Sequence, residues 1–189
     1  PWYKTARRWG QTNLTEIDPQ HYNADFWRRY WRQTSAQGVI VNAGGIVAYY
    51  PSRYPNHYRA RHLGGRDLFG AIVEAARSEG LAVLARMDSN RATPEFYEEH
   101  PDWFAVNAEG EPCQSQGRYM ACVNSPYYKE YIPDLLREII DRYHPDGFTD
   151  NSWTGVGRRY VCHCRHCREK FPEALPQECD WDDPVYKRW

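Results

Sequence analysis

Two apolar runs, Val39-Ile40-Val41 and the nearly continuous Leu81 to Met87, constrain the fold more than any other feature of this chain. Apolar residues at consecutive positions describe strands buried on both faces, as in a parallel sheet. Both runs end in polar clusters, Asn42-Ala43-Gly44-Gly45 and Asp88-Ser89-Asn90-Arg91. A third run, Gly147-Phe148-Thr149, ends in Asp150. A weaker first strand lies within Arg7 to Ile17 and stops at Asp18-Pro19, since proline resists continuing a central strand.

Between these runs the periodicity is helical. Asn23 or Asp25 caps a helix carrying Phe26, Trp27, Tyr30 and Trp31, and Gly38 is its expected stop. Asp67 caps a second, with Leu68, Ile72, Val73, Ala75 and Ala76 as the buried stripe and Gly80 as the stop. Asn124 or Ser125 with Pro126 opens a third, over Tyr128, Tyr131, Ile132, Leu135, Leu136, Ile139, Ile140 and Tyr143. Pro133 removes a ladder hydrogen bond and predicts a kink or restart. Pro94 to Gly117 reads as a loop with one helical turn and a hairpin. Arg165 to Phe171 is a short helix ended by Pro172, and Asp183-Pro184 begins another.

Strand and helix in alternation imply a parallel sheet with right-handed crossovers. A doubly wound sheet and a (β/α)8 barrel both fit. No Gly-rich phosphate loop follows the first strand, and long polar loops follow several, which selects the barrel. A complete barrel takes about 250 residues; this chain has 189. The expectation is an α/β fold, the N-terminal half of a TIM barrel. Its four parallel strands lie near 9–15, 39–43, 82–87 and 147–150, with outer helices and long βα loops. Residues 1–189 then form one partial catalytic domain, truncated after the fourth strand and the loop beyond it.

The net charge of -1 gives no general reason to expect nucleic acid or an anionic membrane as a partner. No apolar stretch reaches transmembrane length. The chain starts at Pro1, so a leader can have been removed, and localisation stays open, tilted to the cytoplasm. Eight Trp, fifteen Tyr and a mean hydropathy of -0.86 suit a wide polar-aromatic cleft. The connection from Ile46 to Arg66 carries Tyr49, Tyr50, Tyr54, His57, Tyr58, Arg61 and His62; leaving a strand's C-terminal end, it reads as functional.

There are six cysteines, and Cys162, Cys164 and Cys167 lie too close together to pair comfortably, so a metal knuckle is the better reading. The flanking Arg158, Arg159, Arg165, Arg168 and Lys170 also allow a zinc-knuckle module that contacts phosphates. Against that, the domain is not basic as a whole.

The segments Val39 to Tyr50, Gly65-Arg66-Asp67-Leu68, His100-Pro101-Asp102-Trp103, Cys122-Val123-Asn124-Ser125-Pro126-Tyr127, Asp146-Gly147-Phe148-Thr149-Asp150 and Cys162 to Cys167 recur here in order. Together they resemble the N-terminal catalytic region of a hypothetical glycosyl hydrolase family related to α-L-fucosidases and to β-galactosidases of glycoside hydrolase family 42. The resemblance implies one zinc on Cys122, Cys162, Cys164 and Cys167. Four thiolates leave no open position, which makes the zinc structural. Cys113 and Cys179 are the substitutes if Cys122 points away. In family 42 the fourth strand ends in Asn-Glu with the Glu as acid/base; Ser152 stands at that position here. In fucosidase-like barrels an Asp at this strand end is the nucleophile, which points to Asp150.

The implied activity is a retaining glycosidase, fucosidase-like or, alternatively, family 42-like, acting on an oligosaccharide or glycoside. A non-catalytic carbohydrate-binding barrel is the further alternative. Asp150 is the catalytic candidate, against a bland reading as a cap or as a partner of Arg158 or Arg159. Asp88 is placed to hold a sugar hydroxyl, and the second acid is expected beyond Trp189. Asn42, Tyr50, His57, His62, Asn151 and Trp153 are the other substrate-binding candidates, with Trp9 as a further apolar face for sugar C–H groups. The 189 residues alone are expected to be inactive, and a homo-oligomer is possible for the full-length protein.

Overall fold

The computed structural model describes residues 1–151, 160–171 and 173–189. The strands are β1 (Trp9–Thr12), β2 (Gly38–Gly45), β3 (Ala82–Asp88), β4 (Arg91–Ala92), β5 (Gln114–Ser115), β6 (Arg118–Met120) and β7 (Gly147–Asp150). The helices are α1 (Trp2–Thr5), α2 (Asp18–His21), α3 (Ala24–Thr34), α4 (Leu68–Ser78), α5 (Pro94–Glu99), α6 (Ile132–Tyr143), α7 (Arg165–Lys170) and α8 (Pro184–Arg188). They form two compact units, Pro1–Asp88 with Leu135–Asn151, and Ser89–Asp134 with Ser152–Trp189.

The first unit is the parallel sheet, ordered β1-β2-β3-β7. Its strands are adjacent in the order in which the chain makes them, without the reversal that a doubly wound sheet requires. This is the N-terminal half of a (β/α)8 barrel. Val39, Val41, Val83 and Ala85 are fully buried, which explains the continuous apolar runs. The register of β2 on β3 shifts between Asn42 and Gly44, a bulge beside the strand tips. Gly45, at φ 95°, ends β2 so close to β3 that a Cβ would meet the Asp88 carbonyl oxygen at 2.3 Å. Only glycine fits both conditions.

Local signals placed most boundaries. The side chains of Asn23 and Asp67 cap α3 and α4 by accepting from Phe26 N and Gly70 N. Gly80 follows α4 at φ 73°. The third helix restarts as expected near Pro133: one π-helical turn, Tyr127–Tyr131, precedes α6.

Other boundaries moved. α3 ends at Ser35, in the left-handed region at φ 52°, and Gly38 instead begins β2. Of the aromatic stripe on α3, Trp31 is buried, whereas Phe26 and Tyr30 are 50% and 47% exposed. Asp18-Pro19 starts a short helix, α2, because proline is tolerated in a first turn.

In the second unit β4, β6 and β5 make an antiparallel ribbon in that order. The tight turn Gln116-Gly117 joins β5 to β6, both residues having positive φ. Phe96 and Phe104 are buried in its aromatic core, and Tyr97 and Tyr119 stack at 3.8 Å. No described helix is long and apolar enough to cross a membrane.

Candidate functional site

The C-terminal tips of the parallel strands carry a connected polar layer. Asn42 accepts from Leu14 N at 3.0 Å and donates through Nδ2 to Asp88 Oδ2 at 3.0 Å. Arg86 donates to Asp88 Oδ1 at 3.1 Å and, through its other terminal nitrogen, to Asn13 Oδ1. Arg86 is only 8% exposed. A guanidinium at that depth needs such partners. The structure therefore brings Asn42 and Asp88 together, as two of the sequence candidates, and adds Arg86 and Asn13. The signal for Arg86 was present in the chain: an arginine inside a continuous apolar strand must be paired.

Asp150 is the last residue of β7, in register with Met87, and is exposed. Asn151 extends the pairing by donating its N–H to Met87 O at 3.2 Å. Asp146, before the strand, accepts from Val83 N at 2.8 Å and starts the pairing. Trp153 lies outside the described residues. Trp9 begins β1, so it sits at the opposite end of the sheet from the tips, packed edge-on against Trp2 at 5.5 Å.

The 46–66 connection divides between interior and surface. Tyr50 and His57 are fully buried, which leaves neither ring open to a sugar. The Tyr50 hydroxyl donates to Glu138 Oε2 at 3.0 Å. Burial, then the Glu138 carboxylate, pushes its ionisation well above the usual phenol range. Burial lowers His57 to about 4, so the ring is neutral near pH 7. His62 is half-buried, its Nδ1 3.3 Å from Gln20 Nε2. Glu16 ties the β1 loop to this connection by accepting from Tyr58 Oη at 2.8 Å and Arg61 N at 2.7 Å. Glu138 was invisible to pattern reading, since its partners lie far back along the chain.

In the second unit Cys122, Cys162, Cys164 and Cys167 are all buried, their sulfurs all within 4.8 Å of one another. Cys122 Sγ lies 3.5 Å from Cys167 Sγ and 3.3 Å from Cys164 Sγ. A tetrahedron of Zn–S bonds of about 2.3 Å needs sulfurs about 3.8 Å apart, which the donor set brackets. The close contacts with Cys122 lower the Cys164 and Cys167 thiols, while Cys122 itself is pushed up by its thiol neighbours. Cys113 is buried in the same cluster but stands outside the four, and Cys179 is a free, half-buried thiol. At the rim, Arg165 donates to Asp102 at 2.5 Å.

Comparison with known proteins gives this layout a context. Residues 24–152 match the family described as Hypothetical glycosyl hydrolase 6. A β-galactosidase of Haloferax lucentense is 26% identical over 164 residues, covering 83% of this chain and 24% of the relative. Among solved structures, α-L-fucosidase isoenzyme 2 from Paenibacillus thiaminolyticus superposes with a TM-score of 0.69 at 20% identity, covering 89% of this chain and 26% of that one. The β-galactosidase from Bacillus circulans sp. alkalophilus gives 0.59 at 18% identity, with 88% and 23% covered. The chain thus spans about a quarter of the length of these relatives.

Proposed function

The chain belongs to the Hypothetical glycosyl hydrolase 6 family, and from that premise we propose that it forms the first half of the catalytic barrel of a retaining glycoside hydrolase. Asp150 is the nucleophile in this reading. The observation that carries it is positional: barrel chemistry sits at the C-terminal ends of strands, and Asp150 is the exposed carboxylate that ends the fourth parallel strand.

The chemistry runs in two steps. The Asp150 carboxylate attacks the anomeric carbon as the bond to the leaving oxygen breaks, and a second carboxylic acid gives that oxygen its proton. Water then attacks the glycosyl-enzyme ester, passes its proton to the same second carboxylate, and releases Asp150. Asp88 is poorly suited to be that acid, because Arg86 and Asn42 already hold both its oxygens as acceptors. It suits a sugar hydroxyl, which can donate to the remaining lone pairs. The acid/base is assigned to the half of the barrel beyond Trp189. Asn42, Asn151 and His62 remain candidates to contact substrate, as does Trp153. Tyr50 and His57 support the wall from within.

Cys122, Cys162, Cys164 and Cys167 would hold one Zn²⁺, which supplies a cross-link and no reactive position. The substrate is read as an α-L-fucoside, since the fucosidase fold covers most of this chain and a strand-end Asp suits that class. The alternative is a β-galactoside, favoured by the sequence likeness to the Haloferax enzyme. Ser152 cannot supply the acid/base proton there as a carboxylic acid would.

Kinetics of the complete protein on aryl α-L-fucosides and aryl β-galactosides decide between the two. Asp150→Gly should nearly abolish turnover, with azide restoring part of it as an azido-sugar. Near-normal turnover in that variant would place the nucleophile elsewhere. The 189-residue chain by itself should be inactive.

A further inference from the structure

A hydrogen-bonded chain leads from the cysteine cluster to a surface ammonium. Asn124 donates to two sulfurs, through its main-chain N–H to Cys122 Sγ at 3.4 Å and through Nδ2 to Cys167 Sγ at 3.3 Å. Its Oδ1 accepts from Lys170 Nζ at 2.9 Å. The amide dipole is therefore aligned twice over, with N–H on sulfur and oxygen on the cation. Turning the amide over would set both contacts against it. Packing alone does not require an asparagine at this position, because it is half-buried between exposed Val123 and Lys170.

Four thiolates and one Zn²⁺ sum to two negative charges. Charge-assisted N–H···S bonds spread that excess, and partners outside the ligand set orient the ligands. We infer that Asn124 is a positioning residue of the metal site: it fixes Cys122 and Cys167 and relays the Lys170 charge to them, setting the affinity for a thiolate-bound divalent cation. The inference rests on the zinc reading above.

The test is zinc affinity of the complete protein, measured by competition with a chromophoric chelator, with circular dichroism reporting the fold. Asn124→Asp keeps the shape but turns an oxygen toward the Cys167 sulfur, and should weaken zinc binding about 10- to 100-fold. Lys170→Met keeps the stem without the charge; the lysine being exposed, it should weaken binding about two-fold at low salt and not at all at high salt. With cobalt in the site, the sulfur-to-metal charge-transfer band should shift in the Asn124→Asp variant. Wild-type affinity and an unshifted band in that variant, with zinc held normally, would overturn the inference. A wild-type protein that holds no zinc would overturn the metal reading as well. If Asn124→Asp fails to fold, Asn124→Ala decides: it removes the Nδ2 donor to Cys167 without adding a charge and should weaken zinc binding about 10-fold, and wild-type affinity there would overturn the inference.

Discussion

Glu138, on α6, accepts the hydroxyl proton of Tyr50 at 3.0 Å across a separation of 88 positions in sequence. The same carboxylate takes Ser52 Oγ at 2.8 Å and Arg53 N at 2.6 Å, at a relative exposure of 1%. One buried acid thereby anchors the connection that leaves the tip of β2. Truncating it would strand the buried Tyr50 and Ser52 hydroxyls and take the acceptor from the Arg53 N–H.

Glu138→Ala should therefore destabilise the chain by about 3 kcal/mol, and Tyr50→Phe, which removes one bond, by about 1 kcal/mol. Urea denaturation followed by fluorescence and circular dichroism measures both. Equal losses in the two variants would mean that the carboxylate's other bonds contribute nothing.

Acid should weaken the fold through His57. Its pKa falls from 6.5 to about 4 on burial. A base with a depressed folded-state pKa makes the unfolded chain bind more protons below pH 6.5, so its contribution is intact above that pH and is lost as pH falls toward 4. The loss is about 3 kcal/mol over that window. Stability measured against pH in His57→Gln should lack this slope, and an unchanged slope would assign it to other groups.

Gly45→Ala tests the close approach of β2 to β3. The added Cβ meets the Asp88 carbonyl at 2.3 Å, with φ at 95°, so the cost should exceed about 2 kcal/mol. Gly65→Ala is the control, having nothing within 4 Å and no positive φ, and should lie within about 0.5 kcal/mol of wild type. Similar melting temperatures for the two variants would contradict the register of the strand tips.

Zinc should be present at about one ion per chain, and its removal by a chelator should lower the melting temperature. Cys122→Ser should lose the metal. Cys113→Ser should keep it, because Cys113 shares the core cluster without joining the four ligands. Elemental analysis of the purified variants checks both statements.

How much of this was legible in the chain depends on range. The asparagine cap of α3, the aspartate cap of α4 and the glycine after it were readable, since each acts on a backbone within about four residues. The failure at Gly38 has the same origin: Ser35 took the left-handed conformation first, so the helix ended three residues before the glycine. Phe26 and Tyr30 kept helical spacing, yet spacing says which residues share a face and not whether anything covers it.

By itself the sequence determined the α/β class, the alternation of the four parallel strands with the helices between them, and the crowding of Cys162, Cys164 and Cys167, because periodicity and short spacing are local physics. Tertiary structure alone decided that Tyr50 and His57 face inward while Asp88 shares its charge with Arg86 and Asn42. It also decided that Glu138 is a buried anchor and not one more acid on a helix surface. Such contacts join residues brought together by strand register and helix packing. No spacing along the chain encodes them, since their free energy exists only once the partners have excluded water between them.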